Sequence, residues 1–70
     1  MALKKALPLA AMEKILKRAG AHRVGEDAKA ALRDLLEEHA MKIGSAAASY
    51  SKHAGRKTVK AEDVELAFKQ

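Results

Sequence analysis

Apolar residues along this chain recur at helical spacing, and no stretch alternates with the two-residue period of a half-buried strand. Leu9, Met12, Ile15, Leu16 and Ala19 fall three and four apart, which predicts a first helix from about Pro8 to Arg18 with one apolar stripe. Pro8 suits the first turn, where its missing N–H costs nothing. Lys17 and Arg18 suit the last turn, and Gly20 is a good residue just beyond the end. A second helix is predicted from Glu26 to His53, its stripe running through Ala28, Ala31, Leu32, Leu35, Leu36, His39, Ile43, Ala46, Ala47 and Tyr50. Glu26 and Asp27 open it with negative charge, and Gly25 is an acceptable N-cap. A third helix, from Ala61 to Lys69, carries Val64, Leu66, Ala67 and Phe68, with Glu62 and Asp63 in its first turn. Lys60 falls at its N-cap and is a poor residue there. Ala19-Gly20 and Ala54-Gly55 break the chain between the helices.

The middle helix decides the architecture. Twenty-eight residues at about 1.5 Å each make about 42 Å. A compact chain of 70 residues has a diameter under about 30 Å. Two short helices cannot cover such a rod, and its uncovered stripe is expected to meet a copy of itself. Composition strengthens this. Alanine supplies 16 of the 34 hydrophobic residues, leaving 18 larger ones. A lone domain of this size buries only about 60% of its unfolded surface, and with no cysteine there is no disulfide or thiolate-held zinc to staple it. The expectation is an all-α homodimer.

Charge adds a partner. The net charge of +5 is unevenly placed: +5 over residues 1–25, −2 over 26–50 and +2 over 51–70. Lysine and arginine gathered toward the flanks suggest a polyanion, most often nucleic acid, although many small basic proteins have no such partner. Met1-Ala2-Leu3-Lys4-Lys5 is basic but precedes no apolar run long enough for a secretory signal, and no stretch is long enough for a membrane span. A soluble, intracellular chain with no membrane partner is expected.

The segment His53-Ala54-Gly55-Arg56-Lys57-Thr58-Val59-Lys60-Ala61-Glu62-Asp63-Val64, with Ala19-Gly20-Ala21-His22-Arg23-Val24 and Leu7-Pro8-Leu9, closely resembles the archaeal histones. These are minimal, tail-less histone-fold proteins, and the resemblance runs from about residue 7 to the C-terminus, with both loops in register. It implies a histone-fold domain over residues 7–70 after a short N-terminal extension, residues 1–6. It also implies a head-to-tail handshake homodimer that wraps and compacts double-stranded DNA in the cytoplasm, associated with the chromosome or nucleoid. Arg23-Val24 and Thr58-Val59, each a polar or basic residue before a β-branched one, suit a brief bridge between the first loop of one chain and the second loop of its partner.

The resemblance assigns roles residue by residue. Arg23 matches an arginine that enters an inward-facing minor groove, a task for a long flat cation without a base code. Lys14 matches a basic position on the first helix. Lys57 and Thr58 match phosphate contacts, one a point charge and one a hydroxyl donor. Lys17, Lys60, Arg18 and Lys29 are weaker candidates, and any one of these cations taken alone reads better as a solvated surface side chain. Arg56 and Asp63 match a buried ion pair that clamps the second loop onto the third helix. Tyr50, His53, Asp63 and Leu66 match a small four-helix contact joining dimers end to end into tetramers or longer arrays, and Gly20 matches a small residue that lets turns of a protein–DNA superhelix stack. A paralogous histone is a possible second partner.

Three departures stand out. Gly44 and the small residues after it weaken the long helix, Gly25 replaces a hydroxyl cap, and Glu13 puts a carboxylate beside Lys14, a placement that either lowers DNA affinity or merely holds Lys14 by local pairing. His39, on the apolar stripe, reads as a core histidine near the dimer crossing. His22, His39 and His53 lack the helical spacing of a metal pair, so no metal or other cofactor is expected. With no nucleophile–base pair or phosphate-cradling glycine loop, the chain does not read as an enzyme. Two other readings compete with a DNA-wrapping histone. A histone-fold interaction module of a transcription-factor-like complex would have another protein as its main partner; the loop cations argue against it. A base-reading helix-turn-helix regulator needs a short recognition helix, and the helix after Gly20 is far too long.

Overall fold

A computed structural model describes residues 6–69. It contains α1 (Leu9–Arg18), α2 (Glu26–His53) and α3 (Ala61–Lys69), and no strand among the described residues. The chain is thus all-helical with a short–long–short order. The expected N-terminal extension, residues 1–6, lies outside the described residues except for Ala6. The chain divides within α2, between Glu38 and His39, into two compact units.

In the N-terminal unit, α1 starts at Leu9 and not at Pro8. Pro8 is the N-cap, with φ −75° and ψ 141°. Its extended backbone places it just outside the helix, while its carbonyl accepts the Met12 N–H at 3.4 Å. The other end is a complete Schellman motif: Gly20 N–H donates to Lys17 O at 3.1 Å and Ala21 N–H to Leu16 O at 3.0 Å. Gly20 has φ +120°, a conformation that side-chain-bearing residues rarely adopt. Gly25 then starts α2, its carbonyl accepting from Ala28 and Lys29 at 3.1 and 3.2 Å. Among the described residues of this unit, Met12 is the buried hydrophobic one. Glu37 is buried as well, and its Oε2 accepts from the backbone N–H of Ala6 and, at 2.7 Å, of Leu7. The chain entering α1 is thereby tied to the middle of α2.

The C-terminal unit repeats the same ending. Gly55, φ +75°, donates to Lys52 O at 2.9 Å, and Arg56 N–H donates to Ser51 O at 3.0 Å. Similar Ala-Gly breakers therefore produce the same cap twice. Ala47 and Ala67 are the buried apolar residues here. α3 begins without a side-chain cap from Lys60. Instead Asp63, three residues in, accepts the Lys60 N–H on Oδ2 at 2.8 Å, the return half of a capping box.

Both units leave large side chains bare. Ile15, Leu35, Val64, Leu66 and Phe68 are 49, 63, 42, 46 and 67% exposed. His39, expected in a core, is exposed in the single chain, with its ring edge-on to Phe68 at 6.3 Å. Each such aliphatic or aromatic side chain contributes about 1.5–3 kcal/mol when fully buried. Nothing in the described chain supplies that burial.

Candidate nucleic-acid interface

The loop between α2 and α3 is rigid for reasons that can be followed atom by atom. Gly55 turns the chain out of α2, and Ser51, 2% exposed one turn earlier, places its hydroxyl between the carbonyls of Arg56 (3.1 Å) and Thr58 (2.9 Å). Arg56 Nη1 also reaches Thr58 O at 3.3 Å. From the other side the Arg56 guanidinium meets Asp63 in a two-pronged pair, Nη1 to Oδ2 and Nη2 to Oδ1, both at 2.9 Å. Planar guanidinium against planar carboxylate fixes orientation as well as distance. The Asp63 carboxylate is held below its ordinary range, first by Arg56 and then by the Lys60 N–H, and the Arg56 pKa is raised by the same pair. Held in this way, the loop leaves Lys57, Thr58 and Lys60 exposed.

The N-terminal unit carries the other cations. Arg23 is exposed, two residues past the Schellman motif and two before the α2 N-cap. Lys14 and Arg18 are exposed on α1 and have no carboxylate partner among the described residues. Glu13 does not pair with its neighbour Lys14. Its two oxygens take Lys17 and Lys29, each at 3.1 Å, and Lys29 also holds Glu26 at 2.7 Å. Hydrogen bonds from Lys29 and then Lys17 lower the Glu13 pKa, and those from Glu26 and then Glu13 raise that of Lys29. Lys29, with a side chain 12% exposed, is an internal clasp between α1 and α2.

Gly20 is exposed at its turn, Tyr50 is half-buried, and His53 and Leu66 are exposed. The side chains of Tyr50, His53 and Leu66 take no hydrogen bond or ion pair among the described residues. Asp63 is buried and already accepts three hydrogen bonds within its own chain, so it anchors the loop from inside. No group of three or more histidine, cysteine or acidic side chains among the described residues could hold a metal ion.

Sequence reasoning misses two residues. Ser51 reads as small and neutral, yet its hydroxyl joins two loop carbonyls. The available signal is its position three residues before the first breaker residue, within a turn of the loop it serves. Glu37, within a charged run, gives no signal at all for its bond to a backbone thirty residues away.

The match to the family described as histone-like transcription factor (CBF/NF-Y) and archaeal histone covers residues 5–68. One of the subunits of archaeal histone HAN1 from Thermococcus zilligii is 54% identical over 63 residues, 90% of this chain and 94% of that protein. Probable archaeal histone 3 of Methanocaldococcus jannaschii is 48% identical over the same shares. Three helices in short–long–short order and this match agree: the chain has a histone fold and belongs to the family of histone-like transcription factors (CBF/NF-Y) and archaeal histones.

Proposed function

We propose that this protein is a DNA-binding histone whose handshake homodimer wraps double-stranded DNA without strong sequence preference, with dimers joining end to end on the duplex. Its role is structural and chromosome-associated, not catalytic. Family membership supports the DNA-binding part, and both curated relatives are named histones and not transcription factors. One observation carries the finer reading. The Arg56–Asp63 clamp and the Ser51 hydroxyl lock a loop that exposes two lysines and a threonine, Lys57, Thr58 and Lys60, beside Val59. These are phosphate-binding groups on a short rigid loop, without a helix to enter a groove and read base edges. Lys57 and Thr58 bind phosphate, Lys14 and Arg23 add contacts from the N-terminal unit, and Lys60 gives an outer one. Lys17 contributes less, since Glu13 already holds it.

The bare side chains of α3 support two contacts. At about 100° per residue, Val64 and Phe68 share one face, and Leu66 lies nearly opposite. The first pair fits the handshake partner, along with Leu35 and His39. Leu66, with Tyr50 and His53, fits the next dimer, and Asp63 supports that contact from within. Gly20 would allow successive turns to stack, but its φ of +120° strains any side chain placed there, so a substitution at Gly20 tests the turn and the stacking together.

Nuclease digestion at rising protein-to-DNA ratios tests the assembly. A ladder of protected lengths is expected from the native protein. Leu66→Glu should keep the folded dimer and collapse the ladder to its shortest rung. Long protected fragments from that variant would place the dimer–dimer contact elsewhere.

A further inference from the structure

On α1, the three cations are not equivalent. Lys14 and Arg18 have no carboxylate partner among the described residues, whereas Lys17 is held at 3.1 Å by Glu13 Oε2. The other oxygen, Oε1, holds Lys29 at the same distance, and Lys29 is held again by Glu26 at 2.7 Å. One carboxylate therefore occupies two ammonium groups from two helices, each on its own oxygen. For either lysine to meet a phosphate, it must leave a carboxylate already within hydrogen-bond distance; Lys29 must leave two, from a position with little solvent access.

Resting on the DNA-binding reading above, we propose that Glu13 is a built-in attenuator of DNA affinity, withholding Lys17 and Lys29 from the duplex. The histone thereby binds with fewer phosphate contacts than its lysine and arginine count allows. Its hold on DNA is set by a residue that does not touch DNA. The same clasp joins α1 to the first turn of α2 around the loop that carries Arg23, so the attenuating group also braces the loop.

The test compares the salt dependence of duplex binding by the native protein, Glu13→Gln and Glu65→Gln. Each phosphate contact contributes about 0.9 to the slope of log affinity against log salt. Glu13→Gln should steepen the slope by about two, because it frees Lys17 of each chain of the dimer while Glu26 still holds Lys29. Glu65, exposed on α3 and outside every ion pair described, removes the same charge without freeing a lysine, and Glu65→Gln should leave the slope unchanged. Equal slopes for Glu13→Gln and the native protein would overturn the proposal. So would equal steepening by both variants, which is an effect of net charge alone.

Lysine acylation of the native protein gives an independent reading if Glu13→Gln does not fold. Duplex should protect Lys14 and Lys57, while Lys29 reacts slowly with and without DNA. A Lys29 that reacts freely alone and is protected by DNA would overturn the proposal. Absence of salt-dependent binding by the native protein would instead overturn the DNA-binding reading, and the attenuator with it.

Discussion

The Asp63 carboxylate accepts both prongs of Arg56 and the backbone N–H of Lys60, and so ties the loop, the start of α3 and a fixed cation together. Its pKa lies below the ordinary value because the hydrogen bonds from Arg56, and then that from Lys60, favour the charged form. A depressed native pKa has a definite sign in linkage. The contribution to stability is complete above the unfolded pKa of about 3.9 and is lost as pH falls through the lower native value. Asp63→Asn should therefore lower the thermal midpoint by several degrees at neutral pH, and its gap from the native protein should close only below about pH 4. A gap that stayed constant down to pH 2 would mean that the charge of Asp63 does not matter. The pairing could be anticipated only through the family resemblance, since seven residues of sequence separation gave no reason to join two surface-type charges. Ser51 shows the opposite limit. A hydroxyl has many local uses, and which one it serves depends on where the carbonyls of Arg56 and Thr58 end up.

The helices were legible because their signals are local. Periodicity, the acidic first turns of α2 and α3, basic last turns and the two Ala-Gly breakers mark where the helices start and stop, and α2 and α3 have the bounds those signals give. Only Pro8 moved, from first helical residue to N-cap. Contacts between helices were not legible in this way. Glu13 beside Lys14 suggested a local pair, but neighbours on a helix point apart, and the carboxylate reaches Lys17 one turn on and Lys29 on α2. Gly44 gives a prediction at this scale. It lies inside α2, and a Cβ added there meets nothing within 4 Å in the chain. Gly44→Ala should stabilise the protein by about 1 kcal/mol, the usual helix-propensity difference, in denaturant titration at fixed protein concentration. A loss of stability would show that a partner backbone packs closely against that glycine.

For the whole molecule, what the chain leaves uncovered decides its state. The buried hydrophobic residues among those described are Met12, Ala47 and Ala67, while Leu35 and Phe68 are more than 60% exposed. A chain with so little core of its own has no stable folded monomer in this account, and dimerisation and folding are one event. Sedimentation at low micromolar concentration should give a single dimeric species, and the unfolding midpoint should rise with protein concentration. A folded monomer, or a midpoint independent of concentration, would contradict the handshake.

The dimer is proposed to hold the duplex by its sugar–phosphate backbone. The direct measurement is binding to several unrelated duplexes of equal length across a salt series. Lys14, Arg23, Lys57 and Lys60 from both chains would give eight contacts, for which the slope of log affinity against log salt should be roughly −7. The lines for different duplexes should run parallel and lie within a few-fold of one another. A single duplex bound about a thousandfold more tightly than the rest, the margin of specific over non-specific recognition, would contradict the account.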